Sequence, residues 1–270
     1  MRGSLRFIGN ATTLIRYNGF TLLTDPNFLR RGQRAYLGYG LSTRRLTDPA
    51  VRIADLPPLD AVVLTHLHGD HWDRVTHRGL DRATPIITTG LAARSLRRRG
   101  FRRSVGLAEW QQHELRSPYG SVVITALPAK HAPGPAEALL PAVIGTMLEF
   151  RNRKERVELR VHVSGDTLLD RRLAAIPRRF PEIDVAIVHL GGARLLGTLL
   201  VTLDGEHGAS WVALINPHAV VPVHYADYPV FSSPLDDFRH HIEQAGLADR
   251  VVYLDRGETR ELAPHHLVRR

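Results

Sequence analysis

A short apolar segment that runs directly into a cluster of histidine and aspartate residues constrains this chain more than any other feature. Residues 61–65 are Ala-Val-Val-Leu-Thr, an apolar and β-branched run with the length and composition of a buried strand. The ligand-type residues directly after it are His66, His68, Asp70 and His71. Residues two apart in a strand share a face, so we expect His66 and His68 to point at one ion as the strand ends. Gly69 then lets the chain turn into a helix that begins with the last two.

These side chains suit a metal ion without sulfur ligands. Nitrogen and oxygen donors favour Zn, Mn or Fe(II), and the chain contains no cysteine, which excludes thiolate ligands, zinc fingers and a disulfide framework. One catalytic zinc takes three protein ligands and keeps a position for water. Four ligand-type residues in one segment exceed that number. Two ions about 3.5–4 Å apart are the natural alternative, and they require further ligands downstream.

Three residues meet that requirement because each comes after a predicted strand beside glycine or proline, where α/β proteins place functional groups. They are His131 after the strand over 121–126, Asp166 after the strand over 157–163, and His224 after the strand over 219–223. Each one alone is compatible with an ordinary structural role; together with the first cluster they predict a metal centre. We also predict substrate contacts by His189, which ends a strand over 184–188, and by Arg194 and Tyr225.

The remaining pattern predicts sheets covered by helices in layers, because strand runs alternate with helices and each half opens with hairpins. Asn18-Gly19 is a hairpin signal between strands over 12–17 and 20–24. Residues 27–50 have no clear period and predict a long loop. No composition break marks a linker, so we expect one domain over 1–270. Further predicted strands cover 5–8, 85–89, 143–150 and 251–254, and predicted helices cover 91–99, 170–177, 206–215 and 234–245.

The positive net charge of the chain suggests nucleic-acid binding, but the composition of its basic residues weakens this interpretation. Thirty-six basic residues against 27 acidic ones give +9, but only two of the basic residues are lysines, an imbalance that codon composition also produces. The densest arginine cluster, over 94–103, fits either a solvated face or an anion-binding patch. No apolar run is long enough to span a membrane and no secretory signal is visible, so we expect a cytoplasmic protein. The sequence leaves a homo-oligomer open.

The same residues resemble the metallo-β-lactamase superfamily over about residues 3 to 255. The motifs that carry the resemblance are Thr24-Asp25-Pro26, Thr65-His-Leu-His-Gly-Asp-His71, His131, Ser164-Gly-Asp-Thr167 and Pro222-Val-His224. A narrower resemblance is to the ascorbate-6-phosphate lactonase-like hydrolases and to the phospholipase D that cleaves N-acyl-phosphatidylethanolamines. It rests on Gly9-Asn-Ala-Thr-Thr-Leu-Ile15, on Asp25-Pro26 and on Pro128-Ala-Lys-His131.

The resemblance implies an α/β fold, a four-layer αββα sandwich with a dinuclear metal site at one edge. It makes His66, His68 and His131 the ligands of the first ion. It makes Asp70, His71 and His224 the ligands of the second ion. Asp166 then bridges the two ions, and Asp25 hydrogen-bonds a ligand histidine. The expected cofactors are two divalent ions, most naturally Zn²⁺, with Mn²⁺ or Fe²⁺ as alternatives.

Such a site predicts a hydrolase. Two cations bring the pKa of a bridging water toward neutrality, and the hydroxide attacks a carbonyl carbon or a phosphorus atom. Asp70 orients it and later protonates the leaving group. His68 stands where the diiron oxygen reductases carry glutamate, which favours hydrolysis over redox chemistry. We expect a small ester, lactone or phosphodiester as substrate, and the alternative is a metal-dependent ribonuclease or phosphodiesterase that acts on RNA.

Overall fold

The computed structural model describes residues 3–195, 197–263 and 266–267. In chain order its strands are β1 (Gly3–Gly9), β2 (Thr12–Tyr17), β3 (Phe20–Thr24), β4 (Arg34–Gly38), β5 (Leu41–Arg44), β6 (Ala61–Val63), β7 (Ile86–Thr89), β8 (Ser104–Leu107), β9 (Gln112–Ser117), β10 (Gly120–Leu127), β11 (Gly145–Asn152), β12 (Val157–Val163), β13 (Val185–His189), β14 (Arg194–Leu195), β15 (Leu199–Leu200), β16 (Ala219–Val223), β17 (Thr259–Ala263) and β18 (His266–Leu267). Its α-helices are α1 (Arg74–Gly79), α2 (Gly90–Arg98), α3 (Ala175–Arg179), α4 (Gly205–Ile215) and α5 (Leu235–Gln244). Short 3₁₀ turns cover Ile53–Asp55, Gly134–Leu139, Arg171–Ala174 and Ala248–Arg250.

Two mixed sheets form the centre of the molecule. The first has the order β18-β17-β1-β2-β3-β6-β7-β8, and the second has the order β16-β13-β12-β11-β10-β9. In the first sheet β1, β2 and β3 are antiparallel neighbours, whereas β3, β6, β7 and β8 run parallel. In the second sheet β9 to β12 are antiparallel neighbours, whereas β12, β13 and β16 run parallel. Each sheet therefore joins a hairpin region to a parallel region.

The sheets pack face to face and carry helices on their outer faces. The core between them contains Leu22 and Val63 of the first sheet with Val161 and Val221 of the second. Outside the first sheet, α2 and the residues around α1 cover a second apolar cluster, and α3, α4 and α5 cover a third one on the second sheet. The predicted four-layer αββα arrangement is confirmed. No helix within the described residues is both long and apolar enough to cross a membrane.

Local sequence signals explain most element boundaries. Asn18 and Gly19 both have positive φ, 49° and 80°, as a two-residue hairpin turn between β2 and β3 requires. The Asp73 carboxylate accepts hydrogen bonds from the backbone of the first turn of α1, and Asp204 does the same for α4. Asn216 ends α4 in the left-handed region at φ 55°.

Four expectations about elements are wrong. Residues 27–50 contain the hairpin β4–β5, whose strands are short and carry no alternation that would reveal them. Residues 251–254 form one isolated bridge, from Val251 to Val220, in place of a strand. The segment over 170–177 divides into a 3₁₀ turn and the short helix α3. The helix expected from Asp70 begins only at Arg74, and strands β8, β9 and β17 were not expected.

Candidate metal centre

The loop after β6 carries the first ligand cluster and is more irregular than the sequence indicates. β6 ends at Val63, and α1 begins only at Arg74. His66 and His68 therefore lie beyond the strand, and Asp70 and His71 lie in a turn that precedes the helix. All four side chains are buried, with exposed fractions of 0, 9, 6 and 0%.

Gly69 serves a different purpose from the expected turn. The φ angle of Gly69 is not positive, so the residue does not form a left-handed turn. A Cβ atom at this position would lie 2.4 Å from the carbonyl oxygen of Tyr36 in β4, and the Gly69 amide donates a hydrogen bond of 2.9 Å to that oxygen. The residue must be glycine because the backbone of the β4–β5 hairpin packs directly against the loop over residues 64–73, which we call the ligand loop.

Three imidazole nitrogens converge in the first group of candidate ligands. His68 Nδ1 lies 3.0 Å from His66 Nε2 and 3.2 Å from His131 Nε2. His131 comes after β10, and its Nδ1 donates to the Val201 carbonyl oxygen at 2.9 Å, which leaves Nε2 as an acceptor. A cation between the rings would satisfy lone pairs that otherwise face one another. The donor set therefore fits a metal ion.

The second group joins Asp70, His71 and His224. Asp70 Oδ2 lies 3.1 Å from His224 Nε2 and 3.6 Å from His71 Nε2. Asp166, after β12, reaches both groups, because its Oδ2 is 3.3 Å from His71 Nε2 and 3.8 Å from His66 Nε2. Asp70 Oδ1 and Asp166 Oδ1 are buried and have no hydrogen-bond partner within the described residues, as expected of oxygens that face a cation. The structure thus brings all seven predicted ligands together, with Asp166 between the two groups.

The electrostatics favour the charge states that bind a cation. Burial, followed by the neighbouring His131, lowers the pKa of His68 to about 3. Burial likewise lowers the pKa values of His66 and His131. Burial opposes ionisation of Asp70, but the nearby His71 and His224 lower its pKa to about 2. Neutral imidazoles and ionised carboxylates are the forms in which these residues ligate metals.

Neighbouring carboxylates raise the pKa values of the remaining two histidines, His71 and His224. Burial opposes a charge on His71, but Asp166, Asp70 and Asp25 together raise its pKa well above the usual value. For His224, Asp166 and Asp70 outweigh burial and raise the pKa in the same way. In the absence of a metal ion these carboxylates favour the protonated imidazoles, so a cation that binds the second group would displace those protons.

Asp25 lies behind His71 and also contacts His189. Its Oδ2 is 3.2 Å from His71 Nδ1 and 3.2 Å from His189 Nε2, and its Oδ1 accepts the Thr65 amide at 2.7 Å. Asp25 has a φ of 36°, a left-handed conformation that a non-glycine residue adopts only when its surroundings impose it. The carboxylate is thus placed to fix the ring orientation of His71.

The structure does not support the predicted substrate contact by His189. Its side chain is fully buried, with Nε2 on Asp25 and Nδ1 3.1 Å from Ser164 Oγ. His189 therefore lies behind the ligands and supports Asp25. Tyr225 also lies away from the cavity wall and packs against the core beneath the helices of the second sheet. Of the three predicted contacts, the structure places Arg194 on the cavity wall.

A buried polar network that the sequence did not reveal holds two of the ligand segments. Asn10 donates from Nδ2 to the Asp70 carbonyl oxygen at 2.8 Å, and its own carbonyl oxygen accepts the His224 amide at 2.9 Å. The Asn10 amide in turn donates to Asp227 Oδ2 at 2.9 Å. Asp227 Oδ1 pairs with the fully buried Arg45 at 3.2 Å and with Arg256 at 3.1 Å. Asn10 belongs to the motif of the narrower resemblance, but no pattern marks Asp227 or Arg45.

A cavity of about 360 Å³ opens onto the candidate ligands. His68, Asp70, His131, Asp166 and His224 form its floor. Its walls come mainly from leucine, valine, proline and phenylalanine side chains on the β4–β5 hairpin and on the loops around β14 and after His224. They include Leu37, Leu41, Leu140, Leu195, Val201, Pro229, Val230 and Phe231. Apart from the candidate ligands, Arg194 is the charged residue among the described lining residues.

Comparison with known proteins identifies the family. Residues 21–225 match the model of the beta-lactamase superfamily domain. A UPF0173 metal-dependent hydrolase of Deinococcus radiodurans is 31% identical over 261 residues, which cover 96% of this chain and 99% of the relative. The chain belongs to the UPF0173 metal-dependent hydrolases of this superfamily. The superfamily resemblance is thereby confirmed, and the narrower lactonase-like and phospholipase D-like branch stays a prediction.

Two solved structures of metal-dependent or related hydrolases share the fold of this chain. The isothiocyanate hydrolase from Delia radicum gut bacteria superposes with a TM-score of 0.80 at 21% identity, covering 96% of this chain and 99% of that one. A metallo hydrolase from the archaeon Ignicoccus hospitalis superposes with a TM-score of 0.68 at 21% identity, covering 97% and 99%. Both likenesses concern the fold.

Proposed function

We propose that this UPF0173 hydrolase uses two divalent metal ions, most naturally Zn²⁺, to hydrolyse a small ester, lactone or phosphodiester. The observation that carries the proposal is the convergence of seven buried nitrogen and oxygen ligands in two groups joined by Asp166. One ion cannot use seven ligands. When bound, two such cations lower the pKa of a water between them and polarise the substrate oxygen.

Individual residues have separate roles in the proposed reaction. His66, His68 and His131 would hold the first cation, Asp70, His71 and His224 would hold the second, and Asp166 lies close enough to both groups to serve either cation. Asp70 also lines the cavity, and its Oδ1 has no hydrogen-bond partner among the described residues. This oxygen is placed to orient the attacking water and to carry a proton to the leaving group.

The cavity walls favour a compact and largely apolar substrate. Leu37 and Leu41 from the hairpin and Val230 and Phe231 from the loop after His224 line the cavity, and such walls bind hydrocarbon or aromatic groups. Arg194 supplies one cation that could pair with a carboxylate or phosphate group of the substrate. These walls support a small molecule over RNA, whose backbone requires several cationic contacts.

The first test is elemental analysis of protein reconstituted with Zn²⁺ or Mn²⁺. Close to two ions per chain, lost to chelators and restored by metal, is the expected result. One ion or none after careful reconstitution would exclude the dinuclear site. The reconstituted protein is then assayed on lactones, esters, thioesters, phosphodiesters and structured RNA, with isothiocyanates added because a protein of the same fold hydrolyses them.

The role of Asp70 is tested by Asp70→Asn, with Asp249→Asn as the matched control at an exposed position. We expect kcat to fall by roughly 10²- to 10⁴-fold even when both metal sites are filled, because a positioned acid or base is lost. The loss should shrink for nitrophenolate leaving groups, which depart without a proton. Near-normal turnover of a poor leaving group would show that the proton-transfer role is wrong.

A further inference from the structure

A second concave surface lies beside the metal centre, and we call it the arginine groove. Its volume is about 590 Å³. The ligand loop contributes to both surfaces, because Leu67 and Gly69 line the groove whereas His68 and Asp70 line the cavity. Arg34 of β4, Arg74 and Arg78 of α1, and Arg99 at the end of α2 form its basic wall.

The arginines of this wall form no ion pair. Within the described residues, the ion pairs include none with Arg34, Arg74, Arg78 or Arg99. Asp73 is the carboxylate that lines the groove, and both its oxygens are occupied. Oδ1 accepts the Val75 and Thr76 amides at 2.6 and 2.8 Å, and Oδ2 accepts amide groups of residues 27–29. Arg74, Arg78 and Arg99 therefore line the groove without an ion pair, whereas the Arg34 guanidinium group donates hydrogen bonds to Ser42 Oγ and to the Ser42 carbonyl oxygen.

Two buried nitrogen atoms of the groove also lack partners. Trp72 is 5% exposed, and its Nε1–H group has no acceptor within the described part of the chain. An indole nitrogen can only donate, and buried donors are rarely left unpaired. His77 Nδ1 is unpaired in the same way. Burial and the cations Arg82, Arg99 and Arg78 lower the pKa of His77, which reflects the positive field of this region.

We propose that the arginine groove binds a small phosphate-bearing anion. Planar guanidinium groups pair with phosphate oxygens through parallel hydrogen bonds, and Trp72, which lines the groove, has an Nε1–H group without an acceptor among the described residues. The proposal does not depend on the hydrolytic function, since none of the seven candidate metal ligands lines the groove. Under this proposal Arg99, which belongs to the arginine cluster over 94–103, binds an anion.

Isothermal titration calorimetry with inorganic phosphate at low ionic strength tests the proposal on metal-reconstituted protein. The informative variant is Arg78→Gln combined with Arg99→Gln. The matched control is Arg98→Gln combined with Arg102→Gln, which removes the same charge at exposed residues outside the groove. We expect the parent and the control to bind phosphate alike and the groove variant to bind at least about tenfold more weakly, since hydrogen bonds to charged groups are lost.

Tryptophan fluorescence gives a second readout at the same site. Phosphate should change the emission of the parent, and Trp72→Phe should abolish that change while the protein still unfolds cooperatively. Three results would overturn the proposal: no phosphate binding by the parent, equal weakening in both double variants, or unchanged binding in the groove variant, which would place the anion at the metal centre. A fourth result would also overturn it. If single-stranded RNA displaces phosphate at concentrations where nucleoside monophosphates have no effect, the groove binds an RNA chain and not a small anion.

Discussion

Replacing Gly69 by alanine should separate the ligand loop from the β4–β5 hairpin. The added methyl group would lie 2.4 Å from Tyr36 O and 2.6 Å from Tyr36 N, and both are backbone atoms that cannot rotate away. Ordinary contact between such atoms needs about 3.5 Å, so the loop and β4 must move apart by about 1 Å. The movement also lengthens the hydrogen bond between the Gly69 amide and Tyr36 O, now 2.9 Å.

This displacement should affect stability moderately and turnover strongly. Overpacking of a well-packed contact costs about 1–3 kcal/mol. A misplacement of about 1 Å among catalytic groups costs about 10²-fold in rate, and here it moves His68 and Asp70 relative to the walls formed by Leu37 and Leu41. We therefore expect kcat/KM of Gly69→Ala to fall by about 10²-fold on whichever substrate the hydrolysis assays identify.

The assay compares kcat/KM, metal content and the urea midpoint with those of Gly90→Ala. Gly90 starts α2, and a Cβ atom there would meet only the flexible end of Arg94 at 3.9 Å. The control should therefore behave like the parent protein. If Gly69→Ala keeps its kcat/KM within twofold of the parent while it folds and binds metal, the contact with β4 does not position the ligand loop, and the reasoning is refuted.

Three further predictions concern residues around the site. Asp227→Asn should lower the free energy of unfolding by about 3 kcal/mol in urea titrations, because it leaves the buried Arg45 charge unpaired, whereas Asp236→Asn at an exposed pair should change little. Burial lowers the pKa of His162 to about 4, so the unfolded chain binds a proton between about pH 6.5 and 4 that the folded chain does not. The free energy of unfolding should therefore fall by about 3 kcal/mol as the pH falls from 6.5 to 4. His162→Gln should remove this part of the pH dependence, whereas the exposed His240→Gln should leave it unchanged. Chelators should lower the melting temperature of metal-loaded protein, and added Zn²⁺ should restore it; an unchanged melting temperature would contradict a metal that binds the folded state.

The sequence predicted which candidate ligands converge because most of them lie where strands end. β10 and β12 stop a few residues before His131 and Asp166, and β16 stops directly before His224. The runs of β-branched residues that reveal these strands therefore also mark the positions of the ligands at their ends. The alternation of apolar strands and helices likewise predicted sheets covered by helices, whereas the four-layer αββα arrangement was expected from the family resemblance.

The local path of the ligand loop was not predictable from periodicity. His66 and His68 were expected on one face of a strand, but β6 ends three residues before His66. The loop takes its shape from long-range contacts, such as the Tyr36 backbone against Gly69 and the Asn10 side chain on the Asp70 carbonyl oxygen. Contacts between residues so distant in the chain leave no pattern of spacing in a single sequence.

The candidate ligands and the cavity walls come from different parts of the fold. In the second sheet β10, β12, β13 and β16 all run the same way, because β11 reverses the chain between β10 and β12 and the next pairs are parallel. Their carboxyl ends therefore meet at one edge of this sheet and position the candidate ligands His131, Asp166 and His224. The cavity walls, in contrast, come from the β4–β5 hairpin and from loops that the sheets do not constrain. Changes in Leu37, Leu41 or Phe231 should accordingly alter KM and substrate preference while metal content stays the same.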